Sequence, residues 1–462
     1  MKYKISIIFI FSFVNYLAYG STYIRPMPSE LRIVAPADAR TVYDANISYH
    51  IHESLFKQDK FSRIYSNLIK DFNVSKDMLT YTLILKDKKF HNGEQFNCSL
   101  IKSNLDHFVK NKIVGYKSLK NIAGFKTSKL NIKNGKAGNI CEIKLSTPEP
   151  ELIKKLTSFK LSILDKERNP QNGLGLFKVK KSTKNKIELE FIGKNSEIKN
   201  LNIVKANKKR AMELFKKNKA HDLFFYKLVD SDISDLKFKS TKMDFPKTYF
   251  SFLNYKTIKK KERRKIIESI DWNKLVSKCY ELKNINHSYL PKNFLGHQKN
   301  LLKQIKHKVS KKYRLDIHQT DQNEKCVKKE LEGYSFLKVR ILPIEKSFND
   351  WVNGKTDIMF TFLESDANSD IDFASAFVEN NSLFLGAPNI KLNEHFTKIQ
   401  KTTDLIKRDT LLKSFYSLVF KDYVALPLFH PSEKLYYNKL IKNIELGVNS
   451  YIMTTVNEFE FE

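Results

Sequence analysis

The stretch Phe61–Phe108, FSRIYSNLIKDFNVSKDMLTYTLILKDKKFHNGEQFNCSLIKSNLDHF, admits few foldings. Tyr81, Leu83 and Leu85 alternate with Thr82, Ile84 and Lys86, the period of a strand with a buried face. Asn92-Gly93 supplies the pair of residues able to take positive φ that a two-residue reversal needs. Asn97 then stands where it can cap a helix whose Ile101, Leu105 and Phe108 fall on one stripe. Strand, reversal and helix follow one another without a gap, so the chain is of mixed α/β class from its first readable segment.

The same stretch holds Ser75, Asp77, Thr80, Tyr81, Thr82, Leu85, Phe90, His91, Gly93 and Phe96 in fixed order. That order resembles the extracellular solute-binding proteins of family 5, large periplasmic receptors that deliver ligand to ABC importers. The resemblance implies an α/β, periplasmic-binding-protein-like architecture: two large lobes with a ligand cleft between them, and a small subdomain inserted in the first. It implies no catalytic group and no cofactor.

The first twenty residues read as an export signal. Lys2 and Lys4 precede a nearly all-apolar run from Ile5 to Val14, and Ala18-Tyr19-Gly20 offers small residues for cleavage. No Cys follows the run, so a lipoprotein is not expected, and no later apolar run approaches the ~20 residues of a membrane helix. The reading is a soluble periplasmic protein. The formal charge of +32 raises a nucleic-acid reading. The lysines, however, are spread from end to end, and short basic runs such as Lys208-Lys209-Arg210 and Lys259 to Lys261 border apolar-periodic segments. They are read as solvated faces, with attraction to anionic envelope polymers as the alternative. Cys98, Cys141, Cys279 and Cys326 permit two disulfides in three connectivities, or four buried thiols. Pairing of sequence neighbours within one predicted lobe selects Cys98–Cys141 and Cys279–Cys326.

The resemblance sets the domain plan. Residues 1–20 are the signal peptide, and lobe I comprises 21–55, 166–245 and 425–462. The inserted subdomain is 56–165 and lobe II is 246–424. Leu31-Arg32-Ile33-Val34 is expected as the strand opening lobe I, followed by a helix from Ala45 to Phe56. Asn169-Pro170-Gln171-Asn172-Gly173-Leu174-Gly175 resembles the turn where lobe I resumes, with Leu174 and Leu176 where the family has Thr and Pro. Tyr249 to Asn254 resembles the aromatic strand that opens lobe II. Asp271 caps the helix after the Arg263–Ile270 helix, and Leu405, Leu412, Phe415 and Val419 mark a long amphipathic helix before the closing strand at Val424–Phe429.

Enzyme signatures fail. Gly354-Lys355-Thr356 lacks the upstream Gly of a phosphate loop, since position 349 is Asn. Ser99-x-x-Lys102 and Ser196-x-x-Lys199 lack every partner motif of the penicillin-recognising serine enzymes. His50 and His52 gather no carboxylate or Cys at metal-site spacing and are read as surface or packing residues. For ligand, peptide-binding relatives carry an Asp that meets the peptide's α-ammonium, and by position Asp366 matches it, with Asp370 as competitor. Phe360 and Phe362 stand where those relatives have Gly-Trp, and Gly173, Gly175 and Asn254 complete the expected ligand-binding set. The expected function is capture of a short peptide or related small solute by a monomer that serves ABC permease subunits and binds no nucleic acid. A divergent envelope-binding protein is the alternative, and a serine hydrolase the least favoured reading.

Overall fold

The computed structural model describes residues 22–461 except 40, 60–62, 111–121, 132–136, 195, 227, 229–231, 233–236, 245, 281, 283–286, 293, 319–322, 365–368, 379–388, 445 and 447–453. The export signal, Asp366 and Gly447 therefore lie outside the described residues. The chain divides into two units: one drawn from the residues up to Thr147, Leu152–Asp244 and Ser432 onward, the other from Pro148–Glu151 and Phe245–Pro431.

The first unit holds two four-stranded sheets. In one, Thr22–Met27 lies parallel to Asn200–Lys205, followed by the antiparallel Lys186–Phe191 and Phe177–Ser182. The opening strand is thus Thr22–Met27 and not Leu31–Val34. The latter stretch makes no ladder: Leu31 N–H donates to Lys184 O at 3.1 Å, Ser48 Oγ donates to Val34 O at 2.8 Å, and Arg32 pairs with Asp44 at 2.6 Å, so it runs beside the sheet. The helix that follows is Val42–Ile51. Thr41 and Asp44 cap it reciprocally, which starts it earlier than its apolar pattern suggests.

The other sheet orders Ile69–Val74, Thr80–Leu85, Ala137–Leu145 and Ile122–Asn131, all antiparallel. Helix Cys98–Lys110 packs Ile101, Leu105 and Phe108 into its core with Tyr81, Leu83, Phe90 and Phe96. Asn97 Oδ1 accepts the Leu100 N–H at 3.2 Å, the cap expected. The reversal is wider than two residues. Of the pair, only Gly93 has positive φ (91°), and Asn92 instead closes the turn through its side chain on Glu94 N–H. The Cys98–Cys141 disulfide joins this helix to the sheet.

In the second unit the strand order is Leu337–Leu342, Tyr313–His318, Ile358–Glu364, Lys247–Leu253 and Ala425–Phe429. The first three are mutually parallel, and Lys247–Leu253 is antiparallel to both of its neighbours. The period of two sends Phe250, Phe252 and Met359 into one core cluster and Leu253, Ile358 and Phe360 into another, so helices cover both faces. Ala425–Phe429, which the sequence reading carried back to lobe I, is the edge strand of this sheet because it pairs with Lys247–Leu253. Cys279–Cys326 links helices Trp272–Tyr280 and Glu324–Glu332.

The last residues return to the first unit. Ser432–Asn438 pairs with Phe238–Asp244, Val456 N–H donates to His50 Nε2 at 3.3 Å, and Phe459 packs on Tyr23.

Candidate functional site

Two places in the chain gather the residues singled out above, one in each unit. In the first unit, Gly173 and Gly175 meet His91 from the strand–turn–helix stretch. Gly173 N–H donates to His91 Nδ1 at 3.4 Å, His91 Nε2 faces Gly175 O at 2.8 Å, and His91 N–H donates to Gly173 O at 3.1 Å. Gly175 N–H donates to Ile51 O at 2.8 Å. An acceptor Nδ1 and a donor Nε2 define the neutral imidazole, and burial lowers the His91 pKa accordingly. A Cβ on Gly175 would sit 2.5 Å from His50 O, and one on Gly173 would meet Ile51 O still closer. All four backbone polar groups of the two glycines are taken up within this clamp. His52 joins it through Nε2 to Pro170 O at 2.9 Å, and His50 and His52 are buried packing residues, as read.

The second place follows from strand direction. In a parallel sheet the carboxyl ends of the strands form one edge, the edge at which open α/β sheets bind ligands. Here that edge carries His318, Leu342 and Glu364, with Lys247 opposite Glu364 and Phe429 opposite Tyr249. Residues 319–322 and 365–368 follow directly.

His318 is 2% exposed; its Nδ1 lies 2.9 Å from Thr361 Oγ1, and its Nε2 has no partner among the described residues. Burial pushes its pKa down to about 4, so it is neutral at pH 7. His430 repeats the pattern. Its Nδ1 lies 3.0 Å from Thr248 Oγ1 and 3.3 Å from Lys247 O, its Nε2 is buried without a partner among the described residues, and burial lowers its pKa to about 4. Lys247 Nζ sits 4.2 Å from the centre of the Phe362 ring and 3.0 Å from Glu364 Oε2. Tyr249 stacks on Phe429 at 4.6 Å and reaches Phe362 at 5.5 Å. The edge is thus an aromatic wall with one lysine–carboxylate pair, backed by two neutral imidazoles that each keep a buried nitrogen without a partner among the described residues. No metal-binding cluster occurs among the described residues.

The expected ligand residues separate accordingly. Phe362 is half-buried on this edge, whereas Phe360 is 1% exposed in the core. Asp370 is buried and accepts Leu295 N–H at 2.9 Å. Asn254 is buried at the far end of the same strand as Lys247, donating to Trp351 O and Thr356 O at 3.0 and 3.1 Å. The sequence reading did not single out His318, Lys247 or His430. The signal for His318 was obscured because its strand holds Arg314 and Asp316 in the middle, each satisfied by an ion pair, with Asp357 and Arg340 respectively.

No helix among the described residues is long and apolar enough to cross a membrane. The family model described as bacterial extracellular solute-binding proteins, family 5, middle region, matches residues 63–318. The glutathione-binding protein GsiB of Salmonella typhi is 33% identical over 98 residues, 21% of this chain and 19% of that protein. The match to these curated relatives therefore spans about one fifth of their length. Among solved structures, HbpA2 from Haemophilus parasuis superposes with a TM-score of 0.76 at 14% identity, covering 96% of this chain and 100% of the other. A dipeptide binding protein from Pseudoalteromonas sp. SM9913 in complex with Met-Leu gives 0.77 at 14% identity, with 96% and 100% covered.

Proposed function

The chain belongs to the bacterial extracellular solute-binding proteins of family 5, and from that premise we propose that it captures short peptides in the periplasm and hands them to the permease of an ABC importer. The observation that carries the reading is the carboxyl edge of the second unit's sheet. It offers apolar rings and a lysine–carboxylate pair, and beneath them two buried imidazole nitrogens that have no partner among the described residues. Such a surface holds an apolar side chain and hydrogen-bonds a main chain, which is what reversible peptide capture requires. A relative named for glutathione and a structural neighbour holding Met-Leu support a short, peptide-like solute. In this reading Asp366, two residues after Glu364 in the sequence, meets the α-ammonium, because a charge enclosed by protein needs an opposite charge within hydrogen-bond reach.

The test is a four-way titration of wild type and Asp366→Asn with a free and an N-acetylated peptide. The substitution is expected to cost on the order of 3 kcal/mol, more than a hundredfold in affinity. Acetylation costs as much in wild type and little further in the variant, since both changes remove one interaction. Additive losses would separate the two groups and shift the assignment away from Asp366. Native mass spectrometry of gently purified protein identifies the solute, and a non-peptide mass would overturn the peptide reading.

A further inference from the structure

Away from that edge, Lys299–Lys312 carries six lysines and no Asp or Glu. Residues 297–310 form no helix or strand, yet they are held along their length. Ile305 N–H donates to Glu268 O at 2.9 Å, and His307 Nε2 reaches Glu268 Oε2 at 2.6 Å. Gln304 Nε2 donates to Asp271 Oδ1 at 2.9 Å, and Leu302 and Val309 pack on the core below. These inward anchors leave Lys299, Lys303, Lys306, Lys308 and Lys312 exposed, and among the described residues none of the five makes an ion pair. Interleaved with them are Leu301, 92% exposed, and Ile305, 39% exposed. Beside the strap, Asp271 borders a concavity of about 350 Å³ that Lys274, Lys278 and Lys329 also line, together with Glu330, which pairs with Lys278.

We propose that this strap is a docking surface for an anionic lipid bilayer. The lysines match the charge of phosphodiester headgroups, each adding roughly fivefold to binding near such a surface. The exposed leucine separates a bilayer from a soluble polyanion. A polyanion gains nothing from an apolar side chain, whereas the interfacial region of a bilayer takes Leu301 out of water while the lysines stay at headgroup level. Anchoring from below at Gln304, Ile305 and His307 leaves the lysines and Leu301 exposed on a stretch already bonded to the protein, so docking orders few additional groups.

The test is sedimentation of the purified protein with vesicles of phosphatidylcholine alone or mixed with phosphatidylglycerol, at low and high salt, with heparin as the soluble polyanion. The protein is expected to bind the phosphatidylglycerol vesicles and release in high salt. Lys303→Glu/Lys306→Glu/Lys308→Glu should lower vesicle binding by on the order of a hundredfold. Leu301→Ala should lower it about fivefold and leave heparin binding unchanged. All four positions are exposed, so unchanged circular dichroism certifies the fold. Equal binding to both vesicle types, an unaffected triple variant, or a Leu301→Ala protein that binds vesicles as wild type does would each overturn the proposal. The last result, with tight heparin binding, would make the strap a polyanion surface.

Discussion

The glycine clamp of the first unit and the carboxyl edge of the second handle polar groups in opposite ways. In the clamp, the N–H and C=O of Gly173 and Gly175 are all bonded to Ile51 or His91, and the glycines touch backbone where no side chain would fit. At the edge, His318 and His430 each keep a buried ring nitrogen without a partner among the described residues. Leaving such a group unmet costs about 1–3 kcal/mol. The contrast holds for the two glycines and not for every group around them, since His52 beside the clamp also keeps a buried Nδ1 without a partner among the described residues. In the reading proposed above, the two glycines serve as scaffold and the edge is where a solute completes the bonding.

The contrast can be broken most decisively at Gly175. Gly175→Ala is expected to destabilise the first unit by on the order of 5 kcal/mol or to prevent folding, because the clashing atoms are backbone. Gly333→Ala in the second unit, whose new Cβ would meet only Glu330 O at 3.3 Å, should stay within about 1 kcal/mol. Urea denaturation of both variants decides this, and equal losses would remove the special status of the clamp.

Next in size are the disulfides, which should not distinguish the two units. Their half-cystines are 43 and 47 residues apart, so opening either is expected to cost about 4 kcal/mol. Paired Cys→Ser variants, with non-reducing peptide mapping of the wild type, measure this. A clear inequality would mean that one link acts through more than its loop.

Acid tests the imidazoles. Burial lowers His50 to about 3 and His52 to about 4 in the first unit, and His318 and His430 to about 4 in the second. Each is neutral when folded and binds a proton on unfolding, at an ordinary value near ~6.5. Between those values the unfolded chain holds more protons, so stability falls as pH drops, by about 2 kcal/mol per histidine at pH ~5. The comparison sharpens on adding solute. A ligand that donates to Nε2 of His318 or His430 holds that ring neutral, so it should steepen the acid dependence of the second unit alone at pH below about 4, read by hydrogen exchange across pH. A dependence equally steep with and without solute would leave those nitrogens outside the binding surface.

The smallest effect is Lys247→Met, expected to cost less than about 1 kcal/mol, since its contacts are one ring face and one partly exposed carboxylate. A large drop in thermal midpoint would make Lys247 a scaffold residue.

Much of this could be read from residues alone where local pattern and tertiary need coincide. Asn97 caps its helix, Ile101, Leu105 and Phe108 pack beneath it, and the cysteines pair with their sequence neighbours. The failures have physical causes. Thr22–Met27 is a strand because Asn200–Lys205 lies beside it, a partner no local window contains. Phe360 and Phe362 differ by two positions and so share a face, yet only the end of the strand leaves Phe362 partly exposed. His318 hides because charge pairs interrupt the apolar alternation of its strand. Gly173 and His91 were each legible as motifs, but their meeting across 82 residues was not.

The return of the last residues to the first unit sets an order of events in making this protein. His50 waits for the N–H of Val456, and Phe238–Asp244 waits for Ser432–Asn438. On a ribosome the second unit, nearly continuous in the chain, is complete while the first still lacks a strand and part of its core. The first unit to begin is therefore the last to finish. Contacts spanning 406 residues make that final step a slow one, and they leave the first unit unlocked until Ser432–Asn438 and Val456 have been made.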